Sequence, residues 1–298
     1  MKKSIIGLFA AIMLVSMTGC KNGVSGGGSS NPYKKTGTQE INGKSYDIVT
    51  FGSFPQSEKT DDTITVNESE AKTAGSYTYY KGSDNEWYAK LGSKYFKVEP
   101  IKWRVLTTDY NGTKKKLLLA ENIIINKAYD ASSNNYENSS IRAYLTGDFY
   151  NTAFTTEEQN AIAITTVIND ARSTNPDGDS NVMLWNNGEN QYASDTATSD
   201  KIFLLSEQEV TKDDYGFATY NAYGTDSTRI RKVTAFARES GTWVSTDSGY
   251  EDGGYWWLRS PIYTNSITAR YVYIYGYAYY NLIVNYAYMG VVPALCLN

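Results

Sequence analysis

The most constraining feature of this chain is a strict alternation of tyrosine between positions 271 and 279. Tyrosine occupies every odd position there, while the even positions hold Val272, Ile274, Gly276 and Ala278. Because successive side chains of a β-strand point to opposite faces, this pattern predicts a strand with its small and apolar residues inward and five tyrosines on the other face. A buried tyrosine needs a partner for its hydroxyl, so a row of this length favours an exposed surface over a core.

The composition around this row is typical of a recognition surface. Arg270 is the only charged residue between positions 263 and 298, and Asn, Ser, Thr, Ile and Tyr dominate the rest. Tyrosine offers large, rigid contact area at low entropic cost and is enriched in antibody binding loops for that reason. It is also a good strand former, so a row that only covers a neighbouring segment is the alternative.

The first residues have the pattern of an export signal. Two lysines precede an apolar run at residues 5–17, which is too short to span a bilayer. The Met-Thr-Gly-Cys sequence that ends at Cys20 resembles the lipobox of bacterial lipoproteins. That resemblance implies a signal peptide over residues 1–19 and a membrane anchor through lipid on Cys20. An ordinary signal peptide with an unmodified Cys20 is the alternative.

The residues after the signal divide into a tether and a body. Residues 20–32 are rich in Gly and Ser, which predicts a flexible tether with a mean reach of about 20 Å. Residues 33–298 are numerous enough to bury a sizeable core, in one large domain or two smaller ones.

Composition excludes several functional classes. The chain contains no histidine, which excludes Ser-His-Asp and Cys-His catalysis and histidine-based zinc sites of the protease type. A net charge of −4 and the lack of a basic patch argue against nucleic acid as a partner. Cys296 is the only cysteine of the body, so no internal disulfide can form, and its apolar neighbours predict a small buried hydrophobic residue.

Hydrophobic patterning predicts many short strands and a few short helices. The strands are expected at residues 46–54, 63–66, 76–80, 87–88, 94–98, 101–107, 117–120 and 123–125. One helix should follow the caps at residues 138–140, with Gly147 ending or loosening its turns. Capping boxes at residues 155–158 and 206–209 predict two more helix starts.

No catalytic constellation or phosphate-binding loop is evident. Residues 177–181 have the oxygen spacing that begins a calcium loop, within a polar stretch, residues 174–199, that reads as a long loop. Val182 stands where such a loop needs glycine and Gly188 where it needs glutamate, so a solvated turn is favoured over calcium. No metal site and no cofactor are predicted.

Several sequence blocks together resemble a bacterial surface-domain family, DUF6273. Among them are Phe-Gly-Ser-Phe-Pro-Gln at 51–56, Ile-Lys-Trp-Arg-Val-Leu at 101–106, Trp-Trp-Leu-Arg-Ser-Pro at 256–261 and Gly-Val-Val-Pro-Ala-Leu at 290–295. The resemblance implies one α+β domain over residues 33–298. Its expected fold is C-type-lectin-like, of the formylglycine-generating-enzyme subtype, with mixed antiparallel sheets and a few short helices. Val292 departs from the arginine that the family often has before the final proline.

Within that family the chain is similar to lipoproteins that diversity-generating retroelements rewrite. Adenine-directed mutagenesis of AAY codons gives access to Tyr, Asn, Ser, Thr, Ile, Ala and Leu, the residue types that dominate positions 263–288. The resemblance implies a hypervariable region at about 256–298. The fixed residues that would form its scaffold are Val272, Gly276, Val284 and Gly290.

The predicted ligand-binding face combines the alternation with this resemblance. If Val284 points inward, its neighbours Ile283, Asn285 and Ala287 point outward, and the pattern leaves Tyr286 and Tyr288 unassigned. The predicted ligand-binding residues are Tyr263, Thr264, Asn265, Ser266, Arg270, Tyr271, Tyr273, Tyr275, Tyr277, Tyr279, Tyr280, Asn281, Ile283, Asn285 and Ala287.

The resemblance implies a binding protein rather than an enzyme. Its expected partner is an unknown, variable ligand, a protein or a glycan on another cell, and its expected place is the outer-membrane surface of a spirochaete. A glycan-binding adhesin of fixed specificity is the first alternative. The second is a formylglycine-generating-type oxidase, which the single cysteine of the body disfavours because that chemistry relies on a cysteine pair.

Overall fold

Two long antiparallel strands, β2 (Lys44–Glu58) and β6 (Lys94–Thr107), form the centre of the larger sheet in the computed structural model. One half of β6 also pairs with β5 (Trp87–Leu91), and the other half pairs with β7 (Lys116–Ala120). This sheet has the order β12 (Ile202–Phe203), β18 (Ala294–Leu297), β7, β6, β5, β4 (Tyr77–Gly82) and β3 (Val66–Ala74), with β2 on β6 and β1 (Lys34–Ile41) on β2. All of its strand pairs are antiparallel.

The structure describes residues 33–169, 197–220, 224–262, 266–278 and 281–298, which belong to one unit, Pro32–Asn298. The other strands of the larger sheet are β1 (Lys34–Ile41), β3 (Val66–Ala74), β4 (Tyr77–Gly82), β12 (Ile202–Phe203) and β18 (Ala294–Leu297).

A second sheet carries the tyrosine-rich end of the chain. Its strands are β9 (Ile125–Asn126), β14 (Trp256–Pro261), β15 (Thr268–Val272), β16 (Asn281–Ile283) and β17 (Gly290–Val291), in the order β16-β15-β14-β17-β9. Two further pairs are antiparallel β10 (Thr165–Val167) with β11 (Thr198–Asp200), and parallel β8 (Asn122–Ile123) with β13 (Lys232–Val233).

The helices are short. A helix with a π-turn at its centre comprises α1 (Ser140–Tyr144), the turn Leu145–Phe149 and α2 (Tyr150–Ala153). The wider turn contains Gly147, as the sequence predicted for a loosened helix. The remaining helices are α3 (Thr156–Ala161), α4 (Ala235–Glu239) and the 3₁₀ turns Tyr110–Gly112, Tyr136–Asn138, Glu209–Thr211 and Asp213–Tyr215.

The predicted caps form. Ser139 caps α1 through its hydroxyl, and Thr155 with Glu158 forms the full capping box at α3. The Ser206 and Glu209 box also forms, with Glu209 N donating to Ser206 Oγ and Ser206 N donating to Glu209 Oε2, but it opens only a 3₁₀ turn. The mixed α+β class, with mostly antiparallel sheets and few short helices, is confirmed.

One predicted strand is wrong. Residues 63–65 do not belong to a strand, because Asp61 organises a turn there. Asp61 Oδ1 accepts from the backbone N–H of Thr63, and Asp61 O accepts from Ile64 N. The strand, β3, begins only at Val66.

Aromatic side chains hold the helices against the larger sheet. The Phe236 ring of α4 contacts Phe54 and Phe96, with ring centroids 5.7 and 5.4 Å apart. The Phe149 ring approaches Phe54 from the other helix, with ring centroids 5.3 Å apart.

Within the described ranges, no helix has the length and apolar character needed to cross a bilayer.

A continuous ladder joins the two sheets. It starts where β18 pairs with β7, at Leu297 and Lys116, and continues to the hydrogen bond between Lys127 N and Met289 O. At about 3.3 Å per residue, the stretch from Met289 to Leu297 covers about 25 Å. Tyr33, the first described residue, receives a hydrogen bond from Lys116 Nζ and therefore lies at one end of this ladder.

Candidate ligand-binding surface

The tyrosine run is a strand followed by a tight turn, not the single strand that the alternation predicted. Strand β15 ends at Val272, and the chain then reverses between Tyr273 and Tyr277. Gly276 N donates to Tyr273 O, and Tyr273 N donates to Tyr277 O, both at 2.8 Å. Gly276 has a φ of +82°, which suits the three-residue hairpin connection that needs one left-handed residue.

Burial nevertheless alternates through the turn as the sequence predicted. The even residues Val272, Ile274 and Ala278 are 0, 1 and 3% exposed. The odd residues Tyr273, Tyr275 and Tyr277 are half-buried. The inward and outward sets therefore survive the change from strand to turn, because the apolar residues still face the core.

A buried ion pair supports the turn from beneath. Arg229, 2% exposed, donates from Nη1 to Gly276 O at 2.9 Å and lies 3.3 Å from the carboxylate of Asp226. Asp226 N in turn donates to Tyr275 O at 3.2 Å. These contacts fix the backbone of the turn at two points, Tyr275 O and Gly276 O, so its side chains are displayed on a rigid support.

The rings of the turn belong to a larger aromatic cluster. Tyr273 contacts Tyr255 at 5.0 Å, and Tyr255 stacks on Trp243 with a centroid distance of 4.6 Å and an interplanar angle of 8°. Tyr250 meets Tyr275 edge-on at 4.5 Å. We define the aromatic patch as Trp243, Tyr250, Tyr255, Tyr273, Tyr275, Tyr277, Tyr286 and Tyr288.

The structure assigns the two tyrosines that the sequence left open. Tyr286 is half-buried, whereas Tyr288 is 54% exposed, and their rings are 5.4 Å apart. Trp243 N donates to Tyr288 O at 3.0 Å. Both tyrosines therefore join the aromatic patch beside Trp243, which is 37% exposed.

Sequence reasoning missed the part of the patch that comes from residues 243–255. Trp243, Tyr250 and Tyr255 stand among Ser, Thr, Gly and Asp residues without strand or helix periodicity. The available signal was the density of large aromatic residues in a polar loop, since such residues are unusual where nothing covers them.

One carboxylate lies within the patch. The Tyr275 hydroxyl donates to Asp247 Oδ2 at 2.6 Å. This hydrogen bond, together with partial desolvation, raises the pKa of Tyr275 to about 12. Burial and a hydrogen bond with Tyr273 raise the pKa of Tyr255 as well, so both phenols stay protonated at neutral pH.

Two predicted ligand-binding residues are buried, and their predicted exposure is wrong. Tyr271 is 7% exposed, because its ring packs between Tyr255 and Trp257. Arg270 is 6% exposed, and its Nε lies 3.3 Å from a carboxylate oxygen of Glu207. Both side chains belong to the support of the surface.

The other predicted residues do not all share one face. Asn281 pairs with Arg270 and Ile283 with Thr268, so their side chains lie on the face opposite Tyr271. Asn281, Ile283, Asn285 and Ala287 are exposed, and Ser266 is partly exposed. The predicted site residues Tyr263, Thr264, Asn265, Tyr279 and Tyr280 lie outside the described residues, as do Cys20 and the possible calcium loop at 177–181.

The predicted scaffold residues of the variable region are buried. Val272, Val284 and Gly290 are buried, and the backbone of Asp226 packs against Gly276. These four residues therefore belong to the interior beneath the exposed positions of this segment.

The Trp-Trp-Leu-Arg-Ser-Pro block is β14, and every one of its residues is buried. Arg259 forms a two-point ion pair with Glu209, at 2.5 and 3.1 Å, and Glu209 also accepts from the Tyr110 hydroxyl at 2.6 Å. Burial alone would raise the pKa of Glu209, but Arg259 and the hydrogen bonds outweigh it and leave the pKa lowered. The block is therefore structural.

Asn134 fixes the connection between β14 and β15. Its Nδ2 donates to Ile262 O and to Thr268 O, and its backbone N donates to Ser266 O. One buried amide thus holds both sides of the connection between β14 and β15.

Among the described residues, no group of three or more Cys, Asp or Glu residues is placed to hold a metal ion.

Residues 113–298 match the family described as a domain of unknown function, DUF6273. The match covers more than half of the chain, and the chain belongs to this family. No curated protein matches the chain, and no solved structure matches it either.

Proposed function

We propose that this protein is a surface-displayed lipoprotein that binds ligands through the aromatic patch. The observation that carries the proposal is a group of half-exposed rings mounted on a buried frame. Tyr and Trp rings provide large contact area with few rotatable bonds, and such residues dominate the energetics of protein interfaces. The support from Arg229 and Gly276 lowers the entropic cost of ordering this surface on binding.

The proposal includes a C-type-lectin-like fold of the formylglycine-generating-enzyme subtype and variation by a retroelement. The chain is similar to Treponema variable protein A in the sequence blocks quoted above. Residue types accessible from AAY codons occupy exposed positions such as Asn281, Ile283 and Asn285, while Val272 and Val284 are buried. That division supports a variable surface on an invariant scaffold.

The topology suits display away from a membrane. Tyr33 lies at the Lys116 end of the long ladder, and the aromatic patch lies at the other end, where Gly290 N donates to Tyr255 O. In this proposal lipid on Cys20 anchors the chain at the outer-membrane surface, and the patch faces outward. Metabolic labelling with palmitate should mark the wild type and not Cys20→Ser.

We also propose that the protein is not an enzyme. The whole chain has no histidine, and the only cysteine of its body, Cys296, is fully buried. Burial raises the pKa of its thiol to about 12, so the thiolate needed for oxidative chemistry is not available at neutral pH.

Ligand selection tests the binding function directly. A random-peptide display library and a glycan array are applied to the wild type and to a triple variant, Tyr273→Ser with Tyr275→Ser and Tyr277→Ser. We expect binders for the wild type whose affinity falls by at least about tenfold in the triple variant, as for the loss of interface hot spots.

Two controls accompany this experiment. The triple Tyr→Phe variant keeps the rings and should retain the fold and part of the affinity. Tyr80→Ser removes a half-buried tyrosine from β4 in the other sheet and should leave binding unchanged. If the triple serine variant binds selected ligands as well as the wild type does, the aromatic patch is not the binding surface.

The stacked pair of Trp243 and Tyr255 favours one second candidate, a glycan-binding adhesin of fixed specificity, because sugars stack on exposed aromatic rings. The locus distinguishes the two. A downstream near-copy of the 3′ end that differs only at adenines, beside a reverse transcriptase gene, supports programmed variation. Its absence supports the adhesin.

A further inference from the structure

The segment at residues 243–255 contributes more to the aromatic patch than ring area. It lies before the expected variable region at about 256–298, so its residues would be the same in every variant. It supplies Trp243, Tyr250 and Tyr255 to the patch and places Asp247 against Tyr275. A variable surface of this kind therefore contains one carboxylate at a constant place.

Backbone hydrogen bonds hold Asp247 in position. Its own N–H donates to Ser245 Oγ at 3.1 Å, and its carbonyl accepts from Tyr250 N at 2.9 Å. Ser245 is tied in turn to Gly253, whose carbonyl accepts from Ser245 N at 2.8 Å. The carboxylate is thus presented by an ordered loop, although its side chain is exposed.

Asp247 differs from Asp252, an acidic residue of the same segment, in having no basic partner among the described residues. Asp252 pairs with Arg238 at 2.7 Å and lies 3.9 Å from Lys232. Asp247 forms no ion pair in the described ranges, and its side chain accepts a hydrogen bond from the Tyr275 hydroxyl at Oδ2. One oxygen of a negative group therefore remains available beside stacked rings.

This arrangement is complementary to a planar cation. Aromatic faces carry negative charge density that attracts guanidinium and ammonium groups, and a carboxylate accepts their hydrogen bonds. Tyr250 and Tyr275 meet at 65°, so two ring surfaces of different orientation border Asp247. An arginine side chain can lie on such rings while its N–H groups reach the carboxylate.

We propose that Asp247 and Tyr250 form a constant subsite, which Tyr275 completes in this chain, for a cationic side chain of a partner protein, preferentially arginine. This inference rests on the proposed binding function and adds a preference to it. The variable residues would set which partner binds, while the subsite would favour partners that present a positive charge.

The test uses two synthetic peptides, hexa-arginine and hexacitrulline, with the full chain. Citrulline has nearly the shape and polarity of arginine without its charge, so the pair isolates the charge. We expect hexa-arginine to bind the wild type at least about tenfold more tightly than hexacitrulline, and Asp247→Asn to weaken hexa-arginine binding at least about fivefold. Asparagine keeps an oxygen that accepts from the Tyr275 hydroxyl, so the loop should remain intact.

Asp62→Asn is the matched control. It removes the same charge from an exposed position on the connection between β2 and β3, and hexa-arginine affinity should change less than about twofold. Equal losses in Asp247→Asn and Asp62→Asn would overturn the subsite, because they would indicate attraction to overall charge.

The remaining outcomes separate this inference from the proposed function. Equal affinity for both peptides, or no binding of hexa-arginine, overturns the cationic subsite. The binding function stands in either case if ligands selected by display still lose affinity in the triple serine variant. A neutral glycan as the selected ligand, unaffected by Asp247→Asn, would likewise overturn the subsite alone.

Discussion

A Cβ atom at Gly276 would lie 2.0 Å from the carbonyl oxygen of Asp226. Both the close approach and the φ of +82° require glycine here, so the turn that displays Tyr275 depends on one residue without a side chain. The position of the neighbouring rings of the turn therefore depends on keeping this contact.

Gly276→Ala should therefore destabilise the protein strongly. The left-handed backbone costs about 1 kcal/mol with alanine, and the clash with backbone atoms adds about 2 kcal/mol or more. Gly43→Ala is the control, because Gly43 has a φ of +76° and nothing lies within 4 Å of its Cβ position. Chemical denaturation of both variants measures the difference, and equal losses would contradict the role of the Asp226 contact.

Truncation of Tyr271 should destabilise the protein far more than truncation of Tyr275. Tyr271→Ala removes a buried ring that contacts Tyr255 and Trp257, and should lower the free energy of unfolding by about 3 kcal/mol. Tyr275→Ala removes a half-buried ring of the patch and should change thermal unfolding much less. Equal melting temperatures for the two variants would show that the division into support and surface is incorrect.

Local sequence signals predicted the parts of the fold that depend on near neighbours. The capping box at Thr155 and Glu158, the cap at Ser139 and the burial of Cys296 all follow from short patterns and are confirmed. The alternation of burial also held between Val272 and Ala278, because it reflects which residues are apolar and not how the backbone runs.

Contacts between distant segments account for what the sequence could not predict. Arg270 stands in a polar stretch, yet Glu207 from another part of the chain draws it into the interior. The turn at Gly276 exists because Asp226 and Arg229 hold it, and the patch includes Trp243 because Tyr255 lies beneath it. None of these partners is marked by periodicity or spacing around the residue concerned.

The buried ion pair of Arg259 and Glu209 should contribute strongly to the stability of the core around β14. Glu209→Gln leaves a fully buried guanidinium without its counter-charge and should cost about 3–5 kcal/mol of unfolding free energy. Asp47→Asn, which breaks the exposed pair with Lys35, should change stability little. A small effect of Glu209→Gln would contradict the structural role of the pair.

The same pair gives a defined pH dependence. The pKa of Glu209 is lowered in the folded state, so its contribution is present above the ordinary pKa of 4.5 and is lost as the pH falls below that value. Denaturation of the wild type and of Glu209→Gln should therefore give stabilities that converge between about pH 5 and pH 2. A constant difference across this range would contradict the assignment.

The buried thiol of Cys296 offers a probe of the core beneath the larger sheet. Cys296 is 0% exposed, and burial raises its pKa to about 12. A chain with Cys20→Ser should therefore react with Ellman's reagent only as fast as the protein opens, while denaturant should release one thiol at once. Because the folded thiol resists ionisation, the thiol's contribution to stability should fall as the pH rises between 9.0 and about 12. Rapid labelling of the native protein at neutral pH would mean that β18 does not lie in the interior.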